Sequence, residues 1–167
     1  MSAIITILPE ATRFSVRGNG AAVAALGFAF GVDLPREACR AATNGARAAL
    51  WLGPDEWLLL APDGEAETLT RTLADALHGE PASLVDISDR QVAIGISGPK
   101  AAEALNAFNA LDLEGDAVPV GMCTRTLFGK AEIVLWRTAP DAFHIEVWRS
   151  FAPYVLACLG EAVREYA

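Results

Sequence analysis

From Thr12 to Arg17 the chain alternates polar and apolar side chains (TRFSVR), the period-two pattern of a half-buried strand. Gly18-Asn19-Gly20 follow, and then AAVAALGFAF, an alanine-rich run that suits a helix lying very close to a sheet. A loop containing Pro35 leads to two further strands, Ala46 to Leu52 and Trp57 to Ala61. Between them Pro54 presets φ for the first central turn position and Asp55 suits the second. Glu65 to His78 places Leu69, Leu73 and Leu77 at helical spacing, with acidic residues in the first turn where the helix dipole favours them. SLVDIS, residues 83 to 88, closes this half as a strand.

The order strand, helix, strand, strand, helix, strand then begins again. RQVAIGIS is a strand, Ser97-Gly98-Pro99 caps the helix KAAEALNAF, and CTRTLFG with KAEIVLWR forms a strand pair around Gly129-Lys130. AFHIEVW is another strand, and Ser150 is placed to cap a last helix through FAPYVLACLGEAVREY. The halves also match residue by residue. Gly18 answers Gly98, Val32 to Leu34 (VDL) answers Leu111 to Leu113 (LDL), and Cys39 precedes Gly45 by the interval separating Cys123 from Gly129. Trp51 answers Trp136, and Pro54-Asp55 with Trp57 answers Pro140-Asp141 with Phe143. These paired aromatics read as core fillers of a repeated hairpin. The expected architecture is α+β: one domain of two tandem ferredoxin-like, split βαβ halves, 1–88 and 89–167, with antiparallel sheets, helices on one side and a pseudo-twofold relation. The junction from Asp86 to Gln91 is too short for a flexible linker, so the halves are expected to pack together.

The chemistry along the chain is sparse. His78 and His144 are the two histidines, one at a helix end and one on a strand, and neither sits in a catalytic motif. Cys39, Cys123 and Cys158 are far apart, without CxxC or a histidine at ligand spacing, and read as free thiols. RGNGAA lacks the third glycine of a dinucleotide loop and the lysine of a P-loop, so it reads as a structural turn. At the junction, Asp86 and Asp89 could orient Arg90, although a turn held by side-chain hydrogen bonds explains the same residues. No catalytic, cofactor-binding or metal-binding residue is assigned.

Charge narrows the partners: 13 basic against 21 acidic residues give a net charge of −8, which disfavours nucleic acid and anionic membranes. The short apolar run Ala3 to Leu8 is no signal sequence, no segment approaches a membrane span, and a cytoplasmic protein is expected. Apolar residues make up 53% of the chain, a balance that leans toward burying surface against something else. On FHIEVWR, Phe143, Ile145 and Val147 point one way, and His144, Glu146 and Trp148 the other. Trp148 beside Arg149 then reads either as an interface anchor or as a residue covered by the last helix. Arg90, Trp148 and Arg149, extended by Arg125 and Arg137 on the neighbouring strand pair, are the candidate partner interface.

The runs DISDRQVAIGISGPKAAEALNA, VPVGMCTRTLFGKAEIVLWR and FHIEVWRSFAPYVLACLGEA, with the hairpin LWLGPDEWLLL, closely resemble the gamma subunit family of heterotetrameric sarcosine oxidase. That family is similar in fold to the folate-binding region of the glycine-cleavage aminomethyltransferases. The resemblance implies a structural subunit, itself non-catalytic, of an oxidoreductase that demethylates sarcosine to glycine, produces hydrogen peroxide and passes a one-carbon unit to tetrahydrofolate. It implies alpha, beta and delta subunits as partners, packing on the alpha type, with FAD, FMN, NAD and zinc on the other subunits and none on this chain. The isolated chain is then expected to self-associate. The alternative is a stand-alone folate-binding protein of the same superfamily. Against it, the stretch corresponding to a K-G-C-Y-x-G-Q signature reads VGMCTRTLFGKAE, which keeps Cys123 but lacks the lysine and the glutamine.

Overall fold

A computed structural model of the chain describes residues 2–166. Its elements are β1 (Ile4–Ile7), β2 (Ala11–Gly18), α1 (Gly20–Phe30), β3 (Ala41–Asn44), β4 (Arg47–Gly53), β5 (Glu56–Pro62), α2 (Ala66–Leu77) and β6 (Ala82–Asp86). They continue as β7 (Gln91–Ser97), α3 (Ala101–Asn106), β8 (Cys123–Phe128), β9 (Ala131–Ala139), β10 (Ala142–Trp148) and α4 (Ala152–Arg164). The fold is α+β, with two five-stranded sheets whose strand pairs are all antiparallel.

The chain divides into two compact units, Glu10–Ser88 and a second made of Asp89 onward plus the N-terminal segment through Pro9. In the first, the sheet order is β3-β4-β5-β2-β6. Alternate residues of its strands (Phe14 and Val16, Trp57, Leu59 and Ala61) meet Val23, Leu26 and Phe30 of α1 and Leu69, Leu73 and Leu77 of α2, so both helices cover one face. Burying each of the larger of these side chains stabilises the unit by about 1.5–3 kcal/mol.

In the second unit the order is β8-β9-β10-β7-β1, the same arrangement with β1 where the first unit has β6. Ile94, Ile96, Ile133, Leu135, Phe143, Ile145 and Val147 form the core face, closed by α3 and by Val155 and Leu159 of α4. The expected first half of 1–88 therefore differs from the first unit at its start. Ile4–Ile7 pairs with β7, Ile4 opposite Ser97 and Ile7 opposite Ile94, and supplies the fifth strand of the other sheet.

Two other expectations change. Trp51 faces Trp57 across its hairpin, but Phe143 faces Arg137, and Trp136 lies one residue away, opposite His144. A one-residue step on a strand reverses the face, so Trp136 is no core counterpart of Trp51. It stacks obliquely on His144 with ring centroids 5.6 Å apart. Ser150 does not cap α4; Phe151 holds the N-cap position without a side-chain bond, and a proline in the first turn needs no amide partner.

Candidate functional site

The antiparallel register of β10 against β7 sets Trp148 opposite Gln91, and one step further the Arg149 amide donates to the Arg90 carbonyl at 2.8 Å. The chain then turns into α4, with the Phe151 amide donating to the Trp148 carbonyl at 2.8 Å. This geometry gathers Arg90, Trp148, Arg149 and Phe151 at one end of the sheet. The last helix does not fold over the tryptophan: Trp148 is 47% exposed and Phe151 45%. The Arg90 guanidinium carbon lies 4.9 Å from the Trp148 ring centroid, and Arg149 Nε donates to the Asp89 carbonyl at 3.1 Å.

The other two arginines of the expected patch do not join it. Arg125, on β8, pairs with Glu132 at 3.5 Å. Arg137 donates to the carbonyls of Val118 (2.7 Å), Leu113 (3.3 Å) and Pro140 (2.6 Å), and its guanidinium carbon lies 5.3 Å from the Phe143 ring centroid. It is a tie between a strand and the loop following α3, much as Trp57 Nε1 donates to Pro35 in the first unit. Asp86 and Asp89 do not orient Arg90 either. Asp86 accepts bonds from the Ser88 amide and hydroxyl at 2.9 and 2.6 Å and fastens the turn.

Two features escaped the sequence reading. Glu146 shares a strand face with His144 but is 1% exposed. Gln91 Nε2 donates to its Oε2 at 2.9 Å, and His144 Nε2 lies 2.7 Å from its Oε1. A buried carboxylate demands such partners, yet Gln91 is 55 residues away in sequence and no local spacing reveals it. Near it a cleft of about 240 Å3, lined by Thr6, Leu8, Gly95, Ser97, Thr138 and His144, opens on the β1 side of the sheet.

The second feature is α1. No charged residue occurs from Gly20 to Phe30, and the face turned away from the core, Ala21, Ala24, Ala25 and Phe28, is apolar too. Phe28 is 90% exposed. An outward face with no polar residue is legible from the sequence, because an ordinary surface helix carries charge there.

Among the described residues no three His, Cys, Asp or Glu side chains come together as a metal site, and no helix is long and apolar enough to cross a membrane.

The model of the "Sarcosine oxidase, gamma subunit family" matches residues 17–165. Sarcosine oxidase subunit gamma of an Arthrobacter species is 33% identical over 160 residues, covering 94% of this chain and 78% of the relative. A chain of heterotetrameric sarcosine oxidase from Corynebacterium sp. U-96, solved with pyrrole 2-carboxylate, superimposes with a TM-score of 0.92 at 30% identity, covering 98% of this chain and 85% of that one. The glycine cleavage system aminomethyltransferase T of Bartonella henselae shares the fold, with a TM-score of 0.70 at 19% identity, over 95% of this chain and 45% of that one.

Proposed function

We propose, on the premise that the chain belongs to the sarcosine oxidase gamma subunit family, that it is the non-catalytic assembly subunit of a heterotetrameric sarcosine oxidase and packs on the alpha-type subunit. In this reading the complex demethylates sarcosine oxidatively, with tetrahydrofolate as one-carbon acceptor. FAD, FMN, NAD and zinc belong to the other subunits, and the enzyme works in the cytoplasm.

The observation that carries the reading is the outward face of α1. A helix without charge that leaves Phe28 in solvent resembles half of a core, and obligate interfaces have that character. The Trp148 and Arg90 cluster adds the residue types that anchor interfaces. The fold shared with aminomethyltransferase T shows the architecture alone.

The test is to express the chain alone and with the other subunits. Alone it self-associates in light scattering and gives no heat with tetrahydrofolate; coexpressed, it copurifies with the alpha-type subunit. A monodisperse monomer that binds tetrahydrofolate at micromolar concentration refutes the assembly role in favour of a folate-binding one.

A further inference from the structure

At the end of the sheet where β10 passes into α4, Arg90 is oriented on two sides. Its guanidinium carbon stands 4.9 Å from the Trp148 ring centroid, and its Nη2 donates to Gln91 Oε1 at 2.8 Å. Gln91 is buried and spends its amide nitrogen on Glu146 at 2.9 Å, so its oxygen is held toward Arg90. A guanidinium fixed in this way has lost part of its rotamer freedom before any partner arrives.

What it lacks is a carboxylate. Arg17, Arg40, Arg47, Arg71, Arg125 and Arg164 each have one within salt-bridge distance. Among the described residues Arg90 has none, in a chain whose acidic residues outnumber its basic ones 21 to 13. Arg149 sits on the neighbouring strand end, and Trp148 and Phe151, both about half-exposed, add apolar surface at the same end of the sheet.

We propose that Arg90, Trp148, Arg149 and Phe151 dock a carboxylate-bearing segment of a partner subunit. An Asp or Glu engages the planar fork of Arg90, and an adjacent apolar side chain seats on Trp148 and Phe151. Charge complementarity selects this occupant over a second copy of the chain, because a twofold contact through the patch would set the arginines of one copy against those of the other. The proposal rests on the assembly reading only in taking a subunit of the enzyme as the partner.

The experiment measures the dissociation constant of the chain for the other subunits of the complex at low and high NaCl, with melting temperatures of every variant. Wild-type binding weakens as salt rises. Arg90→Glu weakens it at low salt by at least roughly 30-fold, and Arg90→Lys, which keeps charge but not the fork, by about 3- to 10-fold. Arg90→Gln serves in place of Arg90→Glu if the latter melts early. Trp148→Ala weakens binding at both salt concentrations. If Trp148→Ala weakens binding while Arg90→Glu does not and salt has no effect, the acidic partner is refuted and the assembly role stands. If no variant weakens a complex that forms, the docking site is elsewhere and the proposal falls alone. If wild-type chain forms no complex, the assembly role falls with it.

Discussion

The two hairpin turns offer a comparison in which each copy of the repeat controls for the other. Gly45 joins β3 to β4 with φ of +58°, and Gly129 joins β8 to β9 with φ of +57°. Replacing either with alanine forces an L residue into the left-handed region, at a cost of about 1–2 kcal/mol. Their surroundings differ. Nothing lies within 4 Å of a Cβ added at Gly45, whereas at Gly129 it would collide with the Tyr154 hydroxyl. That hydroxyl accepts a hydrogen bond from the Lys130 amide at 3.1 Å. Tyr154 must swing away, and the lost bond adds about 1 kcal/mol. The expected cost is therefore about 1–2 kcal/mol for Gly45→Ala and about 2–3 kcal/mol for Gly129→Ala.

Hydrogen–deuterium exchange of the assembled complex reads these costs locally. Amides of β3 and β4 should exchange roughly 5- to 30-fold faster in Gly45→Ala, and those of β8 and β9 roughly 30- to 150-fold faster in Gly129→Ala. In a Tyr154→Phe background the excess at Gly129 should shrink by about 1 kcal/mol, because the hydroxyl is already gone. Equal acceleration at the two turns, or strictly additive effects of Gly129→Ala and Tyr154→Phe, would refute the placement of Tyr154 over the second turn.

Phe28→Ser should leave stability within about 0.5 kcal/mol of wild type, since the ring is almost fully exposed, while light scattering shows less self-association of the isolated chain. Arg137→Met should destabilise the chain by about 1–3 kcal/mol in urea titration by stranding the carbonyls of Leu113, Val118 and Pro140, and leave affinity for the other subunits unchanged. Lys100, through its hydrogen bond to Glu103, and Tyr166, through burial, both hold their protons above their ordinary values of 10.5 and 10.0. Their contribution to stability is complete below about pH 10 and is lost as pH rises through the raised values. Urea midpoints from pH 9 to 12 should therefore fall less steeply in Lys100→Met and Tyr166→Phe than in wild type.

What was legible in the sequence was whatever depends on neighbours along the chain. Alternation in β2 and β10 and leucine spacing in α2 located those elements, and collinear matches such as Leu34 with Leu113, both buried, exposed the doubled topology. β1 and β3 were missed because four residues, in one case the unalternating IITI, hold no period to read. The address of β1 was hidden for a different reason: pairing Ile4 with Ser97 is a long-range choice that local pattern does not encode. At the site, the neighbours Trp148 and Arg149 could be seen together. Arg90 reaches Trp148 only through the β7–β10 register, and that same register sets Gln91 beside Glu146, which alternation had placed on the face opposite Phe143, and buries it there.

The measurement that bears most directly on the assembly role is native mass spectrometry of material purified through a tag on this chain after coexpression with the other three subunits. One dominant species is expected, its mass containing a single 17.6 kDa copy of this chain together with one copy of each other subunit. A spectrum in which the tagged chain flies alone while the remaining subunits assemble without it would contradict that role.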